Sequence, residues 1–249
     1  MSVPAPGAVV SIPAPEAGRL QLRLVSLTRM ASETARLKES LTVEELRRGN
    51  RLLDKERRDR FFAGRGILRQ ALAGYLGEEP GNVRLSEGEF GKLHLSDHLE
   101  TDSISFNLSH AGEFLLLAFA AGCEVGVDLE QVRQDLPFRA MAERYFSARE
   151  QEELFSLPPG EQICAFYRCW TRKEAYLKGT GTGFSQPSNG FDMALLPDHP
   201  AELLAHRGSP GEIGRWSIKD VAVPKGYCAA VAVEGAEPEI FLATEPPSP

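Results

Sequence analysis

The chain has 249 residues, 42% of them hydrophobic, and carries 35 Asp and Glu against 28 Lys and Arg, for a formal net charge of −7. That length is enough for one large domain or two ordinary ones with a full core, and the acidic balance argues against a nucleic-acid binder as a whole. No run of about 18 apolar residues occurs, so no membrane-spanning helix is expected.

Residues 1–18, MSVPAPGAVVSIPAPEAG, have no Lys or Arg ahead of their short apolar patch, so the charged start of a signal peptide is missing and the segment reads as a loose leader. Leu20, Leu22, Leu24 and Leu27 alternate with polar residues and sketch a first strand. After Ser32 the pattern turns helical, and Leu41 to Leu76 reads as two helices meeting near Ala63 and Gly64. This is the basic part of an acidic protein, with nine Arg and Lys between Arg47 and Arg69 that read mostly as a solvated face. Arg65 is placed differently, near the expected start of a helix GRGILRQALAGYLG, where free N–H groups and the helix dipole favour an anion.

Gly77, Pro80 and Gly81 stop that helix, and short strands near Val83–Leu85 and Lys92–Leu95 follow, joined by SEGEFGK. Ile104 to Ala120 reads as a hairpin with Ser109, His110, Ala111 and Gly112 at its bend, where Ser and His can donate to a phosphate. The next strand ends in GVDLE. A period of two puts Asp128 and Glu130 on one face and Val127 and Leu129 in the core. Two acids on a buried strand repel unless a cation lies between them.

Leu136–Met141 is expected to be a short helix, and Ser147 with Glu150 forms a capping box for a helix from Ala148. After Pro158, Pro159 and Gly160 a long helix from Glu161 to Gly179 carries WTRKEAYLK, in which Trp170, Glu174 and Lys178 share one face at i, i+4 and i+8. Phe191–Leu195, Arg215–Val221 and Tyr227–Val233 read as strands, and the proline-bearing tail from Glu234 as loose. The four cysteines show neither CxxC spacing nor a His placed for zinc, which suits reduced thiols in a cytoplasmic protein.

FNLSH, GVDLE, the FSARE run from Phe146 and WTRKEAYLKGTGTGF resemble, in order and spacing, the 4′-phosphopantetheinyl transferases of the larger surfactin-synthetase-activating type, from about Leu41 to Val233. The resemblance implies an α/β (α+β) pseudo-twofold monomer of two similar subdomains, each a small antiparallel sheet packed with helices, with the active site in the cleft between them. A division near Gly122 gives an N-terminal half at 19–122, a C-terminal half with the metal site at 123–234, a leader at 1–18 and a tail at 235–249. The resemblance assigns Asp128, Glu130 and Glu174 to Mg²⁺, with Mn²⁺ as a substitute, and Lys178 to the pyrophosphate of coenzyme A. It also assigns Ser109, His110 and Arg65 to the coenzyme's phosphates and Lys92 to its adenosine and pyrophosphate, although Leu93 stands where the family has proline.

The activity implied is transfer of the phosphopantetheine arm of coenzyme A to a serine of apo acyl or peptidyl carrier proteins of fatty acid, polyketide or peptide synthesis, releasing adenosine 3′,5′-bisphosphate. Proton removal from that serine falls to Glu174, directly or through a water, with Glu150 as second candidate. The other reading is a carrier- or nucleotide-binding module of the same fold without the chemistry. Loss of function is expected to erase one of Asp128, Glu174 or Lys178, and all are present.

Overall fold

A computed structural model describes residues 14–96, 104–183 and 186–244. Most of the expected leader and Phe184 of the glycine loop lie outside the described residues.

The alternating leucines form β1 (Arg19–Ser26), and Thr34–Glu39 forms α1. The basic segment makes α2 (Val43–Asn50) and one long α3 (Lys55–Leu76). The helices part at residues 51–54 rather than at Ala63 and Gly64, because Asp54 caps α3 by accepting from the Arg57 N–H at 2.7 Å. Gly66 stays inside the helix although glycine costs about 1 kcal/mol there. A Cβ on it would stand 2.7 Å from the Leu37 carbonyl, so it lets α1 pack directly onto α3.

β2 (Leu85–Glu87) pairs with β3 (Leu93–Leu95), and β4 (Ile104–Ala111) with β5 (Phe114–Ala121). The turn of the second hairpin is Gly112–Glu113, so Ser109 and His110 lie inside β4, opposite Leu116 and Leu115, and not at the bend. After β6 (Val125–Gln131) come α4 (Phe138–Tyr145), α5 (Ala148–Ser156) and α6 (Pro159–Thr180). The chain finishes with β7 (Phe191–Met193), β8 (Leu203–His206), β9 (Trp216–Asp220), β10 (Tyr227–Glu234) and β11 (Glu239–Thr244). The tail read as loose is therefore in part a strand: β11 pairs parallel to β1, Leu20 opposite Ile240 and Leu22 opposite Leu242. Its short apolar run outweighs the flanking prolines.

Two larger sheets result, ordered β11-β1-β5-β4 and β6-β10-β9, both antiparallel apart from the β1–β11 pair. Alternation along the strands divides the core into layers. Leu116, Ala118 and Ala120 of β5 face Val127, Leu129 and Val231 of the second sheet, while Leu115, Leu117 and Phe119 face Leu68 and Leu72 of α3. The far side of the second sheet, with Ala230 and Ala232, packs on Phe166, Ala175 and Tyr176 of α6. The order is thus helix, sheet, sheet, helix, each sheet backed by a 22-residue helix. The edge strands β4 and β6 meet at the seam, where the Asn107 side chain accepts from the Val127 N–H at 3.0 Å.

Candidate active site

The seam brings together residues remote in sequence. Asp128 is 3% exposed. Its Oδ1 accepts from the Ser109 hydroxyl at 3.0 Å and the Lys178 ammonium at 2.6 Å, and Lys178 also donates to Ser109 Oγ at 3.0 Å. Its Oδ2 is buried without a partner among the described residues. A carboxylate oxygen so placed costs stability unless a donor or a cation reaches it.

Lys178 reaches Asp128 because α6 lies unusually close to β6. A Cβ on Gly126 would stand 2.1 Å from both the Ala175 carbonyl and the Gly179 amide nitrogen, and a Cβ on Gly179 2.6 Å from the Trp216 ring. No larger residue permits that contact. Glu174 lies one turn before Lys178, and its pKa is raised, first by burial and then by Asp128, against the pull of Lys178. Glu130, two residues along the strand from Asp128, is pushed up to about 7 by burial and next by Asp128, while Lys178 and a hydrogen bond from the Trp170 side chain work the other way. The expected repulsion among the acids is thus present, and Lys178, bonded to Asp128, works against it at Glu130 and Glu174.

An orphaned oxygen and two carboxyl groups with raised proton affinity are the hard oxygen donors that a divalent cation takes. As arranged, no group of three His, Cys, Asp or Glu side chains among the described residues encloses an ion position. Lys178 holds Asp128 instead.

Beside this cluster a cavity of about 250 Å³ is lined by Arg48, Arg60, Arg65, Lys92 and His110, with Glu87 among them. Arg48 and Arg65 both contact Glu87, Arg65 at 3.3 Å. Arg65 lies mid-helix, so the helix-terminus argument for it fails. Other cations, Arg48, Arg60 and Lys92, converge on the cavity that it borders. His110 also borders a second cavity of about 310 Å³ with Glu130, Met141, Phe166, Tyr167 and Trp170 in its walls. Lys92 borders the first cavity, but its ammonium bonds to Glu124 and to the Gly179 carbonyl at 2.6 Å.

Glu150 does not belong to the cleft. It is 1% exposed, closes the capping box with Ser147, receives both oxygens' bonds from Lys173 Nζ at 2.6 and 2.8 Å, and accepts from the Met193 N–H at 2.7 Å. No lone pair is left for proton transfer, and its candidacy as a base is withdrawn. Lys173, inside the WTRKEAYLK run, is correspondingly structural, 2% exposed and 4.1 Å from the Phe191 ring centre. Asn107 and the Trp170 bond to Glu130 escaped sequence reasoning. Asn107 stands two residues before Ser109, and strand parity alone would have aimed both at β6.

A profile of the 4′-phosphopantetheinyl transferase superfamily matches residues 124–232. The chain is 39% identical over 211 residues to the 4′-phosphopantetheinyl transferase HetI of Nostoc sp., covering 85% of this chain and 86% of that one. It is 28% identical over 200 residues to the transferase Sfp of Bacillus subtilis, covering 80% and 86%. With that identity sustained over nearly the whole of a relative, and with Asp128, Glu174 and Lys178 gathered at one seam, the chain belongs to the 4′-phosphopantetheinyl transferase superfamily.

Proposed function

We propose that the chain transfers the 4′-phosphopantetheine arm of coenzyme A to a serine of acyl or peptidyl carrier proteins, and that it is of the surfactin-synthetase-activating type. The observation that carries this reading is the Asp128–Lys178–Ser109 cluster beside a cavity lined with arginines. In the transfer the carrier serine oxygen bonds to the β-phosphorus, the bond from that phosphorus to the bridging oxygen breaks, and adenosine 3′,5′-bisphosphate leaves. Glu174 takes the serine proton, directly or through a water. Lys178 opposes the negative charge of the pyrophosphate as the leaving group separates. Arg65 and His110 hold the 3′-phosphate, with Arg48 and Arg60 on the same cavity.

Asp128, Glu130 and Glu174 would hold Mg²⁺, which supplies charge neutralisation of the pyrophosphate when bound. That requires Lys178 to yield part of Asp128 and turn towards the phosphates, and the unpartnered Asp128 Oδ2 is available from the start. One chain supplies both walls of the seam, which suits a monomer, and all four cysteines are free, which suits the cytoplasm.

The test mixes the protein with apo carriers, coenzyme A and Mg²⁺ and reads intact mass. One added arm is expected, lost on chelation and lowered at least about 10²-fold in rate by Glu174→Gln. Activity that survives exhaustive chelation removes the metal assignment, and an unchanged Glu174→Gln rate removes the base.

A further inference from the structure

We propose that Lys92 is a positioning residue, which ties the β2–β3 loop to the last turn of α6 and so holds Lys178 at the seam, from where its ammonium reaches Asp128 or turns towards the phosphates. Four observations converge on it. The Lys92 side chain is 6% exposed, and its ammonium bonds to Glu124 and to the Gly179 carbonyl, one residue past Lys178. Glu124 is 42% exposed and belongs to the second half, so the bond crosses the seam. The loop that carries Lys92 lies directly on the glycine loop after α6. A Cβ on Gly181 would stand 3.3 Å from Lys92 Cδ, and a Cβ on Gly183 2.9 Å from Phe90 Cβ. Both glycines have positive φ, +68° and +52°, so bare backbone passes beneath the loop in a conformation other residues resist.

The end of α6 is therefore gripped on two sides, by β6 through the Gly126–Gly179 contact and by the β2–β3 loop through Lys92. A cation on a helix's last carbonyls is also the favourable sign for that terminus. Lys92 acts through Lys178, and its charge is already answered by Glu124 rather than offered to a coenzyme phosphate.

The effect on turnover rests on the transferase reading, so the experiment includes readouts that do not. Lys92→Met keeps the alkyl stem and removes the charge, Lys92→Arg is the conservative variant, and Glu124→Gln removes the partner. Lys92→Met is expected to lower kcat about tenfold with KM for coenzyme A changed less than about twofold, and Lys92→Arg to restore part of it. Glu124→Gln should act in the same direction, and the double variant should be no worse than Lys92→Met alone. Amide hydrogen exchange at residues 177–183 should quicken in Lys92→Met, while calorimetry shows coenzyme A binding unchanged. Weaker coenzyme A binding with normal exchange overturns the proposal, as does tighter binding in Glu124→Gln, since a freed ammonium would then be reading phosphate. If no carrier is modified by the parent protein, exchange and calorimetry still decide the role of Lys92.

Discussion

His110 borders both cavities at the seam, and its pKa is lowered from 6.5, first by burial, then by Lys178 and Arg60. The folded protein therefore binds fewer protons there than the unfolded chain, so the stability tied to the neutral ring is present at high pH and is lost as pH falls below the ordinary histidine range. An anion beside the ring has the opposite effect and favours its charged form. Coenzyme A binding near pH 7 should thus take up protons, seen by calorimetry in buffers of different ionisation enthalpy, and His110→Gln should lower the uptake to whatever Glu130 contributes. No uptake in the parent would separate His110 from the phosphates. Glu150 makes the contrasting case. Its pairing with Lys173 is fully buried, so Glu150→Gln is expected to cost about 3–5 kcal/mol, read as a lower Tm, with kcat of the folded protein nearly unchanged. A collapse of kcat at constant Tm would restore it as the base. Helical and strand periodicity sufficed to group Glu174 with Lys178 and Asp128 with Glu130. The capping box read for Glu150 is present, but its buried pairing with Lys173 was not legible, because the two lie on different helices and local pattern does not show that they face each other.

The contact between β6 and α6 places the chemistry, and two glycines make it possible. Gly126→Ala would push a methyl into the backbone of α6, 2.1 Å from two of its atoms. Overpacking of that kind costs about 1–3 kcal/mol or more when backbone must move. A fall in Tm of roughly 5 °C or more, at about 2–4 °C per kcal/mol for a chain this size, is expected together with loss of activity, because α6 is pushed off β6 and carries Glu174 and Lys178 away from the seam. Normal Tm and activity would show that the helix can shift without consequence. The strands β1, β3, β6 and β10 were legible because alternation or an apolar run marks them. β8 has only four residues, and the six of β11 follow a proline, so local pattern gave little weight to either. The boundary of α3 was misplaced because Gly64 and Gly66 look like breakers, whereas one of them answers to α1, a partner that local sequence does not reveal.

Across the whole molecule, the two larger sheets are joined by more than the segment around Gly122. After β10 the chain sends β11 back to the first sheet, where Arg19 also bonds to Glu239, 220 residues away. Removing residues 236–249 should leave β10 intact but strip β1 of its outer neighbour, lowering Tm and promoting association through the bared edge. Light scattering of the truncated chain against the parent measures this, and a monomeric variant with the parent Tm would show β11 to be dispensable. During synthesis the same connection imposes a schedule. The first sheet is threaded early, yet its outer strand leaves the ribosome only after the second sheet has been made, so β1 waits with one row of N–H and C=O groups unpaired. A stalled or prematurely terminated chain is caught at that stage, and the nascent protein is then exposed to the strand-to-strand pairing that chaperones guard against.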